Sequence, residues 1–359
     1  MNDQLSSIVN PPRKPGFQIA RDLRPCQSGR VTDTKPPTIR LGILSDMHYA
    51  SAAEQARGND YESQGVSNRA LRFALRCYRH HVWLRDPLSQ GYLVDRFLKE
   101  APEFDHLVAG GDYSCDSAAV GVSDDASCAS VRECLGKLRG RFGERLHVTW
   151  GDHELGKVSF FGGRGGMRLA SYHRAVNELK LAPFWRVRAG NYVLMGVVSS
   201  LLALPVLEPD ALPEELPEWQ RLRAAHLDQI RGAFAALRPG QRVLLFCHDP
   251  TALPYLGDEP AVREKLPQLE QTIIGHLHSN LVFWKSQRLS GLPRITFLGH
   301  TARRLSSALR EGRRWRPFKV RLCPALAGIQ LLKDGGYLSA DLDPEAVRPA
   351  VFRFHPVAR

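Results

Sequence analysis

Residues 39–48 read IRLGILSDMH, a short apolar run that breaks at Ser45 into Asp46-Met47-His48. The run is too short for a buried helix and carries Ile39 and Ile43, so it predicts a buried strand over Ile39–Ser45 with polar groups at its carboxyl end. The same pattern recurs downstream. The run His106–Ala109 ends in Gly110-Gly111-Asp112, and Leu146–Trp150 ends in Gly151-Asp152-His153-Glu154. Arg242–Cys247 ends in His248, and Gln271–Ile274 ends in Gly275-His276-Leu277-His278. Tyr192–Val198 and Arg294–Leu298 read as further strands.

Helical patterns lie between these runs, at Asn68–Tyr78, Gly91–Glu100, Ala126–Arg141, Met167–Leu179 and Arg221–Leu237. Asp124 or Asp125 is placed to cap the third of them. Strands alternating with helices predict an α/β sheet covered on both faces. Near the end, Gly328–Leu332 and Tyr337–Leu342 flank Lys333-Asp334-Gly335-Gly336 and predict a closing hairpin. Residues 1–37, with six prolines, are expected to form an irregular basic arm. Residues 38–359 are expected to form a single domain with insertions at 49–104, 155–190 and an Arg-rich 301–323.

Composition narrows the class. The 359 residues are 43% hydrophobic and 24% charged, which excludes collagen-like, coiled-coil and wholly disordered chains. Seven cysteines without a C-x-x-C argue for reduced thiols in a cytoplasmic setting, against a disulfide framework or a cysteine zinc site. The first residues lack the basic and apolar regions of a secretory signal. Tyr192–Leu207 is broken by Ser199, Ser200 and Pro205, too short for a spanning helix. Of the net charge of +12, residues 1–40 hold +4 and residues 301–323 hold +7. Such local excess is unlike the basic face that coats nucleic acid. The second stretch, with Trp315 and Phe318 inside it, reads as a solvated insertion or as a face toward anionic lipid headgroups, where each cation is worth about 1 kcal/mol.

Taken singly, an Asp-x-His is usually a loop and a strand-end histidine is usually a satisfied surface group. Five such motifs in order, each at the carboxyl end of a predicted strand, where ligands bind in open α/β sheets, instead describe one site. Oxygen and nitrogen donors without thiolate suit manganese, iron, zinc or cobalt and disfavour calcium.

The ordered set D-x-H, G-D, G-D-H-E, H and G-H-x-H resembles the calcineurin-like metallophosphoesterase superfamily over residues 39–300. The resemblance implies a two-sheet sandwich flanked by helices. It implies that Asp46, His48 and His278 bind a first metal, that Asp152, His248 and His276 bind a second, and that Asp112 bridges them. His153 would sit by the substrate as general acid or phosphate contact. The implied cofactor is a pair of divalent transition metals, Mn²⁺ first, with Fe or Zn as alternatives. Two such ions about 3.5–4 Å apart share and deprotonate a water, and the bridging hydroxide attacks phosphorus. The implied activity is hydrolysis of a phosphodiester or pyrophosphate bond, or of a monoester, in a small phosphorylated substrate rather than a nucleic acid.

Asp152 departs from the family, which has Asn there; a carboxylate can ligate but cannot donate a hydrogen bond to phosphate. Gly151–Lys157 imitates a Walker A loop, but Val158 stands where Ser or Thr must hold Mg²⁺, and the reading is rejected. Arg164 and Arg168, in the glycine-rich loop after His153, are candidate phosphate contacts. Ser199–Leu207 reads as a buried strand end and loop, or as an apolar wall for an acyl chain. That wall and the basic stretch motivate a second reading, a lipid-linked substrate at a membrane surface, as in the UDP-2,3-diacylglucosamine pyrophosphatases. Asp152 motivates a third, a non-catalytic scaffold like the retromer subunit with this fold; the intact His153 argues against it.

Overall fold

The computed structural model describes residues 38–357 apart from 65, 158–164 and 296–299. The expected arm at 1–37 and the candidate contact Arg164 lie outside the described residues. Ten strands, β1 (Ile39–Leu44), β2 (His106–Ala109), β3 (Leu146–Val148), β4 (Phe184–Ala189), β5 (Tyr192–Val197), β6 (Arg242–Cys247), β7 (Leu269–Ile274), β8 (Val320–Leu322), β9 (Gly336–Leu342) and β10 (Val351–Pro356), form two five-stranded sheets. The first has the order β10-β9-β1-β2-β3, with β1, β2 and β3 parallel and β9 and β10 antiparallel. The second has the order β4-β5-β6-β7-β8, parallel except for β4.

The period-2 alternation of each strand splits its side chains between two cores. Leu41, Ile43 and Val108 of the first sheet pack with Leu194, Leu244, Phe246 and Ile273 of the second, so the sheets face each other. The intervening residues Leu44, Leu107, Met195 and Leu245 turn outward and join the larger core beneath the helices. Gaining both faces explains why these strands read as continuous apolar runs. The fold class is therefore the two-sheet α/β sandwich that the resemblance implied.

The helices at Arg69–Tyr78, Tyr92–Glu100, Asp125–Phe142, Leu169–Asn177 and Leu216–Ala235 lie on the five predicted segments. Asp124 caps the third, its carboxylate accepting the Ser127 N–H at 2.9 Å. Two expectations need correction. Gly328–Leu332 is not a strand: the Asp334 carboxylate accepts the Ile329 N–H at 2.8 Å and Lys333 N–H bonds back to Ile329 O at 2.9 Å, which closes a turn. The antiparallel partner of β9 is instead β10, with β1 on its other side. Most of the expected strand Arg294–Leu298, residues 296–298, lies outside the described residues. Ser199–Leu207 folds as the short helices Ser199–Leu202 and Leu204–Leu207 rather than a strand end and loop, and Leu201, Leu202 and Leu204 are buried in the core.

The Arg-rich stretch is structured as well. A helix covers His300–Glu311, Trp315 and Phe318 are buried, and Val320–Leu322 becomes the edge strand β8. Arg314 bonds to Asp258 and to Pro254 O, so part of the expected solvent-facing charge is spent within the fold. None of the described helices is long and apolar enough to cross a membrane. The six described cysteines are free thiols, all but Cys77 buried.

Candidate metal centre

The carboxyl ends of β1, β2 and β3 in one sheet and of β6 and β7 in the other open at one edge of the sandwich. The loops there are tied together by backbone hydrogen bonds. Asp46 N–H donates to Gly111 O at 3.1 Å and His48 N–H to Asp112 O at 3.0 Å, which fastens the loop after β1 to that after β2. His276 N–H donates to Asp46 Oδ1 and His153 N–H to Asp112 Oδ1, at 3.0 and 3.1 Å, which brings in the loops after β7 and β3.

These contacts draw the chain into tight turns. Asp46, His48, Asp112, His276 and His278 all have φ between 44° and 58°, a left-handed backbone rare for residues with side chains and concentrated where function over-determines geometry. The neighbouring glycines make room. A Cβ on Gly151 would stand 1.9 Å from Asp112 Oδ1, and one on Gly275 would stand 2.5 Å from Asp46 Oδ2.

Two groups of donors result. Asp46, His48, Asp112 and His278 form one, Asp112, Asp152, His248 and His276 the other, each with ligand atoms within 4.8 Å of one another. Asp112 belongs to both. All seven residues singled out in the sequence as ligands thus meet, in the pairing expected.

The histidines are set in ligand-ready tautomers. Nδ1 of His48 and Nδ1 of His153 both face Ser114 O, at 3.3 and 2.8 Å, and Nδ1 of His248 faces Gly110 O at 2.9 Å. A carbonyl can only accept, so each Nδ1 carries a proton. His48 and His153, which burial keeps neutral, then present an Nε2 lone pair. Against the cost of burial, the Asp112 and Asp46 charges raise His248 well above the usual imidazole range. The donor atoms crowd together. His48 Nε2 and His278 Nε2 lie 3.3 Å apart, and His278 Nε2 lies 3.3 Å from Asp46 Oδ1. His248 Nε2 lies 3.2 Å from Asp112 Oδ2 and 3.5 Å from Asp152 Oδ1. Asp46 Oδ2 and His248 Nε2 are buried with no hydrogen-bond partner. Orphaned buried acceptors pointing at one another are unstable unless a cation sits among them, and the oxygen–nitrogen donor set fits divalent transition metals.

The electrostatics differ between the two groups. Burial, with Lys157 nearby, pushes His48 down to about 3, and burial pushes His278 down to about 3 against the pull of Asp46, so both rings are neutral. Burial and the Asp152 charge push Asp112 up to about 6. His276 moves the other way, up to about 9, because the attraction of Asp152 and Asp249 exceeds the cost of burial. Its Nδ1 lies 2.9 Å from Asp152 Oδ1, and Asp249 Oδ2 stands 3.9 Å from its Nε2.

His153 adjoins both groups without belonging to either: its Nε2 lies 3.7 Å from Asp112 Oδ2, and its ring is 4.8 Å from that of His48. Burial and the Lys157 charge hold it well below the usual imidazole range. Arg168 lies away from this arrangement, its guanidinium donating to Met167 O at 2.9 Å and Gly165 O at 3.4 Å. Lys157, the imitation P-loop lysine, is buried against Glu62 at 3.3 Å and Cys115 O at 2.8 Å.

Four contributors escaped the sequence reading: the Ser114 and Gly110 carbonyls, Glu154 and Trp83. Glu154 stood inside a quoted motif, and its position beside His153 was the only signal. Trp83, whose ring lies 5.2 Å from that of His278, comes from the insertion after β1 and gave none.

The solved structures similar to the chain include three phosphatases or hydrolases. A phosphopantetheinyl hydrolase from Mycobacterium tuberculosis is 16% identical, with 67% of this chain and 83% of that one covered and a TM-score of 0.36. A dimetal phosphatase from Danio rerio is 13% identical, with 90% and 98% covered and a TM-score of 0.48. A purple acid phosphatase from yellow lupin (Lupinus luteus) seeds is 11% identical, with 68% and 38% covered and a TM-score of 0.32. No family model and no curated protein matches the sequence.

Proposed function

We propose that this chain is a dimetal phosphohydrolase acting on a phosphodiester or pyrophosphate bond of a small molecule. The observation that carries the reading is the sharing of Asp112 between two four-residue donor groups. Asp46, His48, Asp112 and His278 would hold one cation, and Asp112, Asp152, His248 and His276 the other. Bound cations would supply Lewis acidity toward phosphoryl oxygens and a water acidic enough to attack phosphorus near neutral pH. Manganese is the favoured metal, with iron or zinc as alternatives, because no thiolate enters the donor set.

The chain's own residues do the rest. Ser114 O and Gly110 O fix three imidazole tautomers and so hold the lone pairs in place. His153, bonded through Nδ1 to Ser114 O, keeps Nε2 beside Asp112 as the proton-handling position. With its Nδ1–H fixed, the ring accepts a proton at Nε2 before it can return one to a leaving oxygen. Asp152 supplies charge where an amide would supply a donor, so the site holds cations firmly and leaves phosphate recognition to other groups.

Metal analysis of protein purified without chelator, combined with a turnover screen over monoesters, diesters and nucleotide sugars, tests the reading. Two metals per chain with hydrolysis of a diester or pyrophosphate is the expected result. Near-zero metal with activity retained overturns the site, and two metals without turnover of any phosphoester favours a scaffold. His153→Ala should keep its metal and lose about 100- to 10,000-fold in turnover.

A further inference from the structure

The insertion between His48 and Asp112 encloses a second concavity. A cavity of about 650 Å³, within the size range of small-molecule pockets, is lined entirely by residues between Asn59 and Asp86. Its wall carries Arg69, Arg72, Arg76, Arg79 and Arg85, with the carboxylates Asp60, Glu62 and Asp86. Asp60 is spent on Arg76 at 2.6 Å and Glu62 on Arg79 at 2.5 Å. Arg72 gives Val66 O its Nε at 2.8 Å and its Nη2 at 2.5 Å, which leaves Nη1 for the cavity. Among the described residues no ion pair engages Arg69 or Arg85, both exposed. The wall therefore sets Arg69, Arg72 and Arg85 against Asp86 alone. Guanidinium groups crowded on one concave surface repel unless an anion joins them, and their planar forks match phosphate oxygens.

Two connections tie this cavity to the metal centre. Glu62, on the cavity wall, also accepts from Lys157 Nζ at 3.3 Å; Lys157 bonds Cys115 O, and the Cys115 thiol donates to His48 O at 3.0 Å. On the other flank Arg79–Trp83 forms a π-helical turn, a rare geometry enriched at functional sites, and it ends on the Trp83 ring beside His278. The same segment thus lines the cavity and touches a metal ligand.

We propose that this cavity binds the polyphosphate of a phosphorylated small molecule, with Arg69, Arg72 and Arg85 as its phosphate contacts, and that it selects such molecules as substrates for the adjacent metal centre. The assignment of substrate rests on the phosphohydrolase reading; the binding itself does not.

Calorimetric titration of the full-length protein with inorganic tripolyphosphate tests it. Wild type should bind, and Arg69→Gln/Arg85→Gln should weaken binding about tenfold or more. Both side chains are exposed, so the substitutions leave the packing intact. Asp86→Asn, which removes the remaining carboxylate, should tighten binding, and Asp112→Asn should retain it. Absence of binding in wild type overturns the proposal. So does binding that survives Arg69→Gln/Arg85→Gln but disappears in Asp112→Asn, because the anion would then sit at the metal centre alone. Failure of the phosphohydrolase reading would look different: no phosphoester turned over by a protein that still binds tripolyphosphate through Arg69 and Arg85.

Discussion

Glu154 holds the backbone of Asp112: its Oε2 accepts the Asp112 N–H at 3.0 Å and the Gly151 N–H at 2.7 Å, while Oε1 accepts the Tyr113 N–H at 2.9 Å. One fully buried carboxylate thereby fastens the loop after β2 to the loop after β3, with Asp112, common to both donor groups, between them. An amide at this position has one acceptor oxygen, so at least one buried N–H would be left unpaired. Glu154→Gln should cost about 1–3 kcal/mol of stability. A lower melting temperature and reduced metal content per chain would report it; an unchanged melting curve would show that the three bonds do not carry the loop.

Asp112→Asn removes the carboxylate common to both donor groups. Turnover should fall by at least about 100-fold and metal content by half or more. Metal analysis beside a diester assay distinguishes loss of the ions from loss of chemistry.

Asp152→Asn should leave an active enzyme. The amide oxygen can still ligate, a negative charge beside the substrate disappears, and an N–H donor returns. Transition-state binding of generic phosphodiesters should improve while metal affinity falls. Inactivity with both metals bound would reveal instead that the Asp152 carboxylate acts as a base.

His226 makes stability depend on pH. The ring is buried, Nε2 accepts the Val198 N–H at 3.1 Å, and burial pushes its pKa down to about 4. An unfolded histidine takes up its proton near 6.5, so between about 6.5 and 4 the unfolded state binds more protons than the folded one. The contribution is therefore complete above about pH 6.5 and is lost as pH falls toward 4. Melting temperature should drop between pH 7.5 and pH 5, and His226→Gln should flatten that drop. His147, held down to about 4 by burial and by His106, acts in the same direction, so part of the slope remains in that variant.

Exposed Arg310, Arg313 and Arg316 project from the basic stretch, and among the described residues they make none of the internal bonds that Arg314 makes. If this face meets anionic lipid, replacing the three with Gln should weaken salt-sensitive vesicle binding and leave diester hydrolysis unaltered. Absence of binding by wild type at low salt would remove the membrane-surface role.

The sequence by itself determined the inner strands of the sandwich and which residues gather at the candidate metal centre. A strand buried on both faces must be continuously apolar, so its carboxyl end shows as an abrupt arrival of polar residues, and Asp46, Asp112, Asp152, His248 and His276 each stand at or just after such an end. Edge strands carry no such mark: β4 and β10 are half exposed, and β10 competes with turn chemistry at Asp334 that imitates a hairpin. Tertiary structure alone decided which carbonyl fixes each imidazole, because Ser114 O reaches His48 and His153 only after β1, β2 and β3 align. It also decided that Trp83 meets His278 and that five arginines from one insertion line a common cavity. Backbone carbonyls have no sequence signature, and contacts across long loops depend on how the loops pack, which local propensity does not encode.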